Sequence, residues 1–177
     1  NKTKQNKTKK YKKQQQQSCI FLLNCLLQKN DKKEKETISK EVLYDLPEWF
    51  GLPESTKEYI KDSQDKPFLA CYADNEVAGF IVLNATSKDT ADIFVMGIKK
   101  KFHRMGIGTK LNTEFENMAK NLGYSYSQVK TVKMGHYKEY DITNEFYIAM
   151  GYKELECFPT LWDEWNPCQI YIKYLGE

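Results

Sequence analysis

The sequence predicts an α/β domain with a mixed sheet, and three observations lead to that class. Two apolar segments on either side of Asp74-Asn75 predict a β-hairpin, because both residues suit a tight turn. An amphipathic helix follows directly after the apolar strand at 91–98, as in a crossover connection. The chain then ends in alternating strand, helix and strand patterns. Hairpins combined with crossover helices are typical of a mixed sheet with helices packed on it.

The other elements follow from apolar periodicity and from turn residues. The predicted strands lie at 37–39, 67–73, 77–83, 91–98, 124–132, 152–158 and 169–174. The predicted helices lie at 41–51, 53–62, 107–122 and 141–150. Pro53 suits the first turn of a helix, and Asp141 or Thr143 is expected to cap the last one.

Composition divides the chain into a tail and a domain. Residues 1–34 hold a low-complexity segment rich in Lys and Gln, then an apolar run at 19–27 that is too short to cross a bilayer. We expect a single domain at 35–177, which is long enough for a full core. The seven lysines before residue 14 exceed the net charge of +3, so the remainder carries −4. The folded domain is therefore not expected to bind nucleic acid or a membrane.

Five cysteines occur without a CxxC pair. This pattern is typical of reduced thiols in a cytoplasmic protein, and it predicts no metal site and no disulfide framework. Cys168 has no histidine at a recognisable spacing, so it is not expected to act as a nucleophile.

The most informative segment joins the central strand to the helix that follows it. It is a basic loop at 99–105 that ends in Gly106-Ile107-Gly108. A helix N-terminus presents unpaired amides and the positive end of a dipole, and glycine lets the backbone approach a ligand closely. The loop therefore predicts a site for anionic phosphate. A dinucleotide-binding loop is excluded, because Leu111 occupies the place of its third glycine.

This loop resembles the acetyl-CoA loop of the GNAT superfamily of N-acetyltransferases. The family pattern is Arg/Gln-x-x-Gly-x-Gly/Ala, and the chain has His103-Arg104-Met105-Gly106-Ile107-Gly108 in its place. His103 departs from the pattern, although histidine can still donate a hydrogen bond to phosphate. The segment 143–152 resembles the family's late helix. The segments 46–51 (LPEWFG) and 155–168 (ending PTLWDEWNPC) resemble a bacterial subgroup of the family.

The resemblance implies a GNAT-like sheet, mostly antiparallel, with splayed central strands and flanking helices. Acetyl-CoA would be the cosubstrate, and its diphosphate would lie on the amides from His103 to Thr109. Its pantetheine arm would lie in the gap and bond to the peptide groups of Met96, Gly97 and Ile98. A bulge at Gly97 would open the strand edge, and an amide near Ile98 would hold the oxyanion.

The resemblance implies roles for Tyr147 and the tryptophans, and the residues themselves suggest roles for Asp92 and the lysines. Tyr147 aligns with a tyrosine that many members use as a general acid, although it could be a core aromatic. Asp92, the one charge in an apolar strand, could be a general base with a raised pKa or a paired structural acid. Trp162 and Trp165, next to acidic residues, would contact a cationic amine or plug the core. The lysines at 99–101 would steer the anion or form a solvated face.

The sequence therefore predicts a cytoplasmic N-acetyltransferase that moves an acetyl group from acetyl-CoA to a small or protein amine. Transfer would be by direct attack in a ternary complex, in a monomer or homodimer. Two alternatives stay open: a non-catalytic acyl-CoA-binding sensor, and a nucleic-acid-associated protein that uses the lysine-rich tail.

Overall fold

A seven-stranded mixed sheet runs through residues 26–176, the part of the chain that the computed structural model describes. Its strands are β1 Leu26–Lys29, β2 Phe68–Ala73, β3 Glu76–Ala85, β4 Thr90–Ile98, β5 Tyr126–Val132, β6 Lys153–Phe158 and β7 Cys168–Tyr174. The helices are α1 Lys32–Leu43, α2 Pro53–Ser63, α3 Ile107–Asn121 and α4 Lys138–Ala149. The strand order is β1-β2-β3-β4-β5-β7-β6, and only the β4–β5 pair is parallel. This arrangement confirms the predicted fold class.

The N-terminal elements differ from the prediction. The strand predicted at 37–39 is wrong, because those residues lie inside α1. The side chain of Asp31 accepts a hydrogen bond from the Glu34 amide at 2.7 Å and caps that helix. Ile38 and Val42 then face the core one turn apart. The helix predicted at 41–51 is also wrong in its bounds, because α1 ends at Leu43 and turns follow.

The sheet begins earlier than the domain boundary expected at residue 35. Strand β1 pairs antiparallel with β2, and Leu26 lies opposite Cys71. The lysine-rich segment and most of the apolar run at 19–27 lie outside the described residues. The predicted caps of the last helix are wrong as well: α4 begins at Lys138, and the Asp141 carboxylate accepts from the Gly135 amide at 2.7 Å instead.

The two faces of the sheet carry separate cores. One face packs against α3 and α4 through apolar residues, among them Ile81, Ile93, Leu111, Phe115 and Tyr147. The other face packs against α1 and α2 through residues such as Val42, Leu43, Ile60, Phe80 and Val95. Side chains alternate between the faces along each strand, except at Phe94 and Val95 in β4, which both face the α1–α2 core.

The two central strands separate halfway along β4. Parallel pairing joins Thr90–Ile93 to Tyr126–Val129 and then stops. Beyond that point β5 keeps its pairing with β7, whereas the second half of β4 pairs only with β3. The predicted splay is confirmed. A bulge at Phe94, opposite Val82 and Leu83, marks the point of separation.

Candidate functional site

The loop after β4 is held in place by two buried apolar side chains. Phe102, in a short 3₁₀ turn, is 8% exposed, and Ile107, at the start of α3, is 1% exposed. Between them the backbone turns through positive φ at Arg104 (62°) and Gly106 (79°). A positive φ is unfavourable for a side-chain-bearing residue, and Gly106 has no Cβ to oppose it. The loop thus stands out from the sheet as an exposed ridge.

The backbone amides of this ridge have no protein partners among the described residues. The first hydrogen bond of the helix runs from the Lys110 amide to the Gly106 carbonyl at 3.1 Å. No hydrogen bond within residues 26–176 uses the amides of 104–109. Unpaired donors at the positive end of a helix dipole favour an anion. The loop therefore presents unpaired amides where the sequence predicts them, and their binding of phosphate stays a prediction.

An open strand edge leads away from this loop. The Lys99 amide donates to the Ala78 carbonyl at 2.9 Å, so the residues next to it in β4 alternate in direction. The peptide groups of Met96 and Ile98 consequently point into the gap, and those of Gly97 point to β3. Binding of pantetheine by Gly97 stays a prediction, and this geometry favours Met96 and Ile98 over it.

The bulge expected at Gly97 is wrong. Gly97 keeps regular pairing with Phe80, and the bulge lies at Phe94. A Cβ at Gly97 would lie 2.8 Å from Cγ1 of Val42 and 3.2 Å from Cδ1 of Leu46. Glycine at this position lets the helical segment α1 approach the sheet closely.

The side chain of His103 turns back to the strand edge. Its Nε2 lies 2.7 Å from the Ile98 carbonyl oxygen, so the ring nitrogen donates there. The ring also packs edge to face on Trp49, with centroids 5.8 Å apart. In this state the imidazole caps a carbonyl of the open edge instead of pointing to the phosphate position.

Trp49 connects helix α4 with the loop that follows β4. Its indole Nε1 donates to the Glu139 carbonyl at 3.2 Å and to Thr143 Oγ1 at 3.1 Å, both in α4. The Tyr140 hydroxyl donates to the Trp49 carbonyl at 2.6 Å. The segment between α1 and α2 is thereby tied both to α4 and to the phosphate loop. Sequence reasoning noted Trp49 only as part of a subgroup pattern and missed this link.

The three lysines that precede the loop are engaged with carboxylates. Lys99 pairs with Glu41 and with Glu76, which also binds Lys101. Lys100 pairs with Glu48 at 2.6 Å. Their charges are therefore largely balanced, and the amides remain the main attraction for an anion.

Tyr147, on α4, lies in the core between the sheet and the helices α3 and α4. It is 5% exposed and packs edge to face on Tyr152, with centroids 5.6 Å apart. Burial raises the pKa of its phenol strongly, and the charges of Tyr152 and Asp92 add to the rise. No hydrogen bond of its hydroxyl occurs within the described residues. The phenol therefore stays protonated and keeps a free donor.

Asp92 lies at the closed end of the gap, on the face of α1 and α2. Its Oδ1 is 3.0 Å from Nζ of Lys130. Burial raises the pKa of Asp92, and Lys130 and Gln128 oppose that rise. Asp92 thus combines features of both alternatives given above. Its carboxyl group is paired, as in a structural acid, and its pKa is raised, as expected for a general base. Lys130 was missed, because strand register is not readable from one sequence.

The loop between β6 and β7 leaves its tryptophans in solvent. Trp162 is 44% exposed and Trp165 is 73% exposed, so neither plugs the core. The Asp163 carboxylate accepts from the amides of Trp165 and Asn166, both at 2.8 Å, and shapes the loop. At the loop's end Cys168 is buried, and burial raises the pKa of its thiol to about 11, which makes it a poor nucleophile.

A mixed sheet opened between its central strands, with unpaired amides at the start of the helix that follows, defines the structural class of this protein. The profile of the Acetyltransferase (GNAT) family matches residues 36–138, and the chain belongs to this family. No curated protein sequence matches the chain. Membership of the subgroup suggested by the LPEWFG pattern stays a prediction.

Solved structures share the fold at low sequence identity. A GNAT-family protein from Desulfovibrio desulfuricans has 13% identity and a TM-score of 0.73, over 86% of this chain and 99% of its own. An aminoglycoside 6'-N-acetyltransferase from Enterococcus faecium has 18% identity and a TM-score of 0.67, over 86% and 97%. A GNAT acetyltransferase from Elizabethkingia anophelis, solved with acetyl-CoA bound, has 17% identity and a TM-score of 0.61, over 76% and 89%.

The described residues contain neither a membrane-spanning helix nor a metal-binding cluster. None of the helices within 26–176 combines the length and the apolar character needed to cross a bilayer. In the same residues, no cluster of His, Cys, Asp and Glu is arranged to hold a metal ion.

Proposed function

We propose that this protein is an N-acetyltransferase that transfers the acetyl group of acetyl-CoA to a primary amine. The observation that carries the proposal is the run of unpaired amides at 104–109, placed directly beyond the open edge of β4. The amides would bind the diphosphate, and the peptide groups of Met96 and Ile98 would hold the pantetheine arm. Acetyl-CoA supplies an activated acyl group with a thiolate as leaving group.

The reactive end of the cosubstrate would lie at the closed end of the gap. From Ile98 back to Ile93 the strand spans roughly 16 Å, so an extended arm that starts at the loop points to the bulge at Phe94. The Met96 amide is nearer to that end than the Ile98 amide. It is therefore the better donor for the developing oxyanion.

Tyr147 and Asp92 would handle the protons. Tyr147 is buried in the α3–α4 core and Asp92 lies on the other face of the sheet, so the two groups would act on the reacting atoms from opposite sides. Tyr147 would donate to the departing thiolate, and Asp92 would accept a proton from the amine, directly or through water. The exposed tryptophans Trp162 and Trp165 would contact the acceptor. The amine would attack the thioester directly within a ternary complex.

The test is a turnover assay with acetyl-CoA and an amine library, read as released thiol, together with calorimetric binding of acetyl-CoA. We expect micromolar to millimolar KM values, the usual range for enzymes. Binding without turnover across the library would instead support the acyl-CoA sensor. Absence of binding would contradict both functions.

A further inference from the structure

The ion pair between Asp92 and Lys130 lies where the two central strands separate. Ile93 and Val129 are the last paired residues, so Asp92 precedes the fork in β4 and Lys130 follows it in β5. Both side chains point to the α1–α2 face, because Ile93 and Val129 point into the opposite core. The Asp92 side chain is 8% exposed and that of Lys130 is 30% exposed. The carboxylate is thus nearly buried at the fork, and the Lys130 side chain is the more accessible partner of the pair.

An ion pair of this kind attracts ammonium groups only weakly. A lone buried carboxylate would draw any ammonium group, but a lysine 3.0 Å away cancels most of that attraction. A purely cationic acceptor would also meet the Lys130 charge as it enters. A ligand with adjacent charges of both signs is different, because each of its charges meets an opposite one.

We propose that the acceptor is an α-amino acid, with its amine directed to Asp92 and its carboxylate bound by Lys130. This inference rests on the proposed acetyltransferase function. Lysine has three N–H donors, so Lys130 can bond to Asp92 and to a ligand carboxylate together. A carboxylate has about four acceptor positions, so Asp92 can bind Lys130 and still receive a donor from the ligand amine.

The proposed reaction balances in protons. The acceptor ammonium first gives one proton to Asp92, and its free amine forms the new C–N bond to the acetyl carbon. The C–S bond breaks, and a second amine proton reaches the thiolate through Tyr147. The third stays on the amide nitrogen. Asp92 releases its proton to water, which restores the ion pair for the next turnover.

The same face indicates which amino acids to test first. Tyr59 and Phe94 pack edge to face with centroids 5.5 Å apart, on the side of the sheet that carries Asp92. An aromatic wall suits an apolar side chain. Phenylalanine and leucine are therefore the first acceptors, each compared with its decarboxylated amine, 2-phenylethylamine or 3-methylbutylamine.

The experiment measures kcat/KM for each acid and its matched amine, and the Kd of each by calorimetry on protein saturated with coenzyme A. We expect the acid to be preferred by about 10- to 100-fold, the range of a charge-assisted hydrogen bond. Lys130→Gln should abolish the preference and Lys130→Arg should keep most of it. Lys133→Gln, an exposed lysine just beyond the same strand, should leave it unchanged.

Equal or better use of the decarboxylated amines by the wild type would overturn the inference while the acetyltransferase function stands. A preference that survives in Lys130→Gln would overturn it as well. Failure of acetyl-CoA to bind would instead defeat the proposed function itself. The ratio between acid and amine is unaffected by a general loss of stability, so it separates recognition from a structural role of the pair.

Discussion

The two ends of the gap between β4 and β5 are built from different parts of the chain. The open end consists of backbone groups: the amides of 104–109 and the peptide groups of Met96 and Ile98. The nearby side chains are occupied elsewhere, since the lysines at 99–101 bind carboxylates and His103 bonds to Ile98. The closed end carries the side chains of Asp92 and Lys130, and the proposed acid Tyr147 comes from the core on the other face of the sheet.

The two ends should therefore respond to different kinds of substitution. Backbone donors depend on chain conformation, so the open end should be sensitive to glycine substitutions and tolerant of side-chain changes. Side-chain groups depend on their chemistry, so the closed end should respond to single-atom changes that leave the fold intact. Four substitutions test this comparison.

The largest effect is expected from Gly106→Val. The backbone at Gly106 has φ of 79°, and a β-branched residue there would force the amides out of position. Loss of two charge-assisted hydrogen bonds would weaken acetyl-CoA binding by about 10²- to 10³-fold, measured by calorimetry. Gly123→Val is the control, because it has φ of 89° at the other end of α3 and equally open surroundings. Equal loss of affinity in both variants would contradict a specific role of the loop.

A smaller effect, confined to turnover, is expected from Tyr147→Phe. Its hydroxyl has no hydrogen bond within residues 26–176, so stability should change by less than about 0.5 kcal/mol. Loss of a general acid should lower kcat by about 10²-fold with acetyl-CoA affinity unchanged.

Tyr152→Phe is the matched control in the same core. Its hydroxyl lies 2.7 Å from Ser127 Oγ, so its removal should cost about 1 kcal/mol of stability and affect turnover less. If the two variants have the same kcat, Tyr147 is a packing residue only.

Asp92 gives a prediction about pH. Burial raises its pKa above the value in the unfolded chain, so the folded protein holds that proton more tightly. The corresponding stability is present below about pH 4 and is lost as pH rises through the raised pKa. Asn cannot ionise, so the Asp92→Asn variant should not lose this stability. Its unfolding free energy should therefore rise relative to that of the wild type as the pH increases from about 4 through the raised pKa. Urea unfolding from pH 4 to 8 measures this difference, and a constant difference would show that burial is fully offset by Lys130.

The smallest effect is expected from His103→Ala. The imidazole is exposed and bonds to the Ile98 carbonyl, so it contributes nothing directly to the amides of the loop. We expect acetyl-CoA affinity to change by less than about threefold, within a single exposed hydrogen bond. A loss comparable to that in Gly106→Val would mean that the open end depends on side chains after all.

Local signals were enough to predict most of the elements. The apolar period of α3, the glycines at its start and the Asp74-Asn75 turn are all encoded within a few residues, so their prediction was confirmed. The errors fell where a cap decided the outcome: Asp31 starts α1 before the segment that was read as a strand. The edge strand β1 was missed because its pairing depends on β2, far along the chain.

The sequence by itself predicted the loop at 103–109, since the first amides of a helix have no partners within the helix and no capping side chain precedes this one. Only the tertiary structure decided what surrounds it. Register across the β4–β5 fork brings Lys130 to Asp92, α1 packs closely on Gly97, and the bulge lies at Phe94. These are contacts between segments that are distant in the sequence. They depend on strand register and on the packing of side chains in the two cores, which no local pattern encodes.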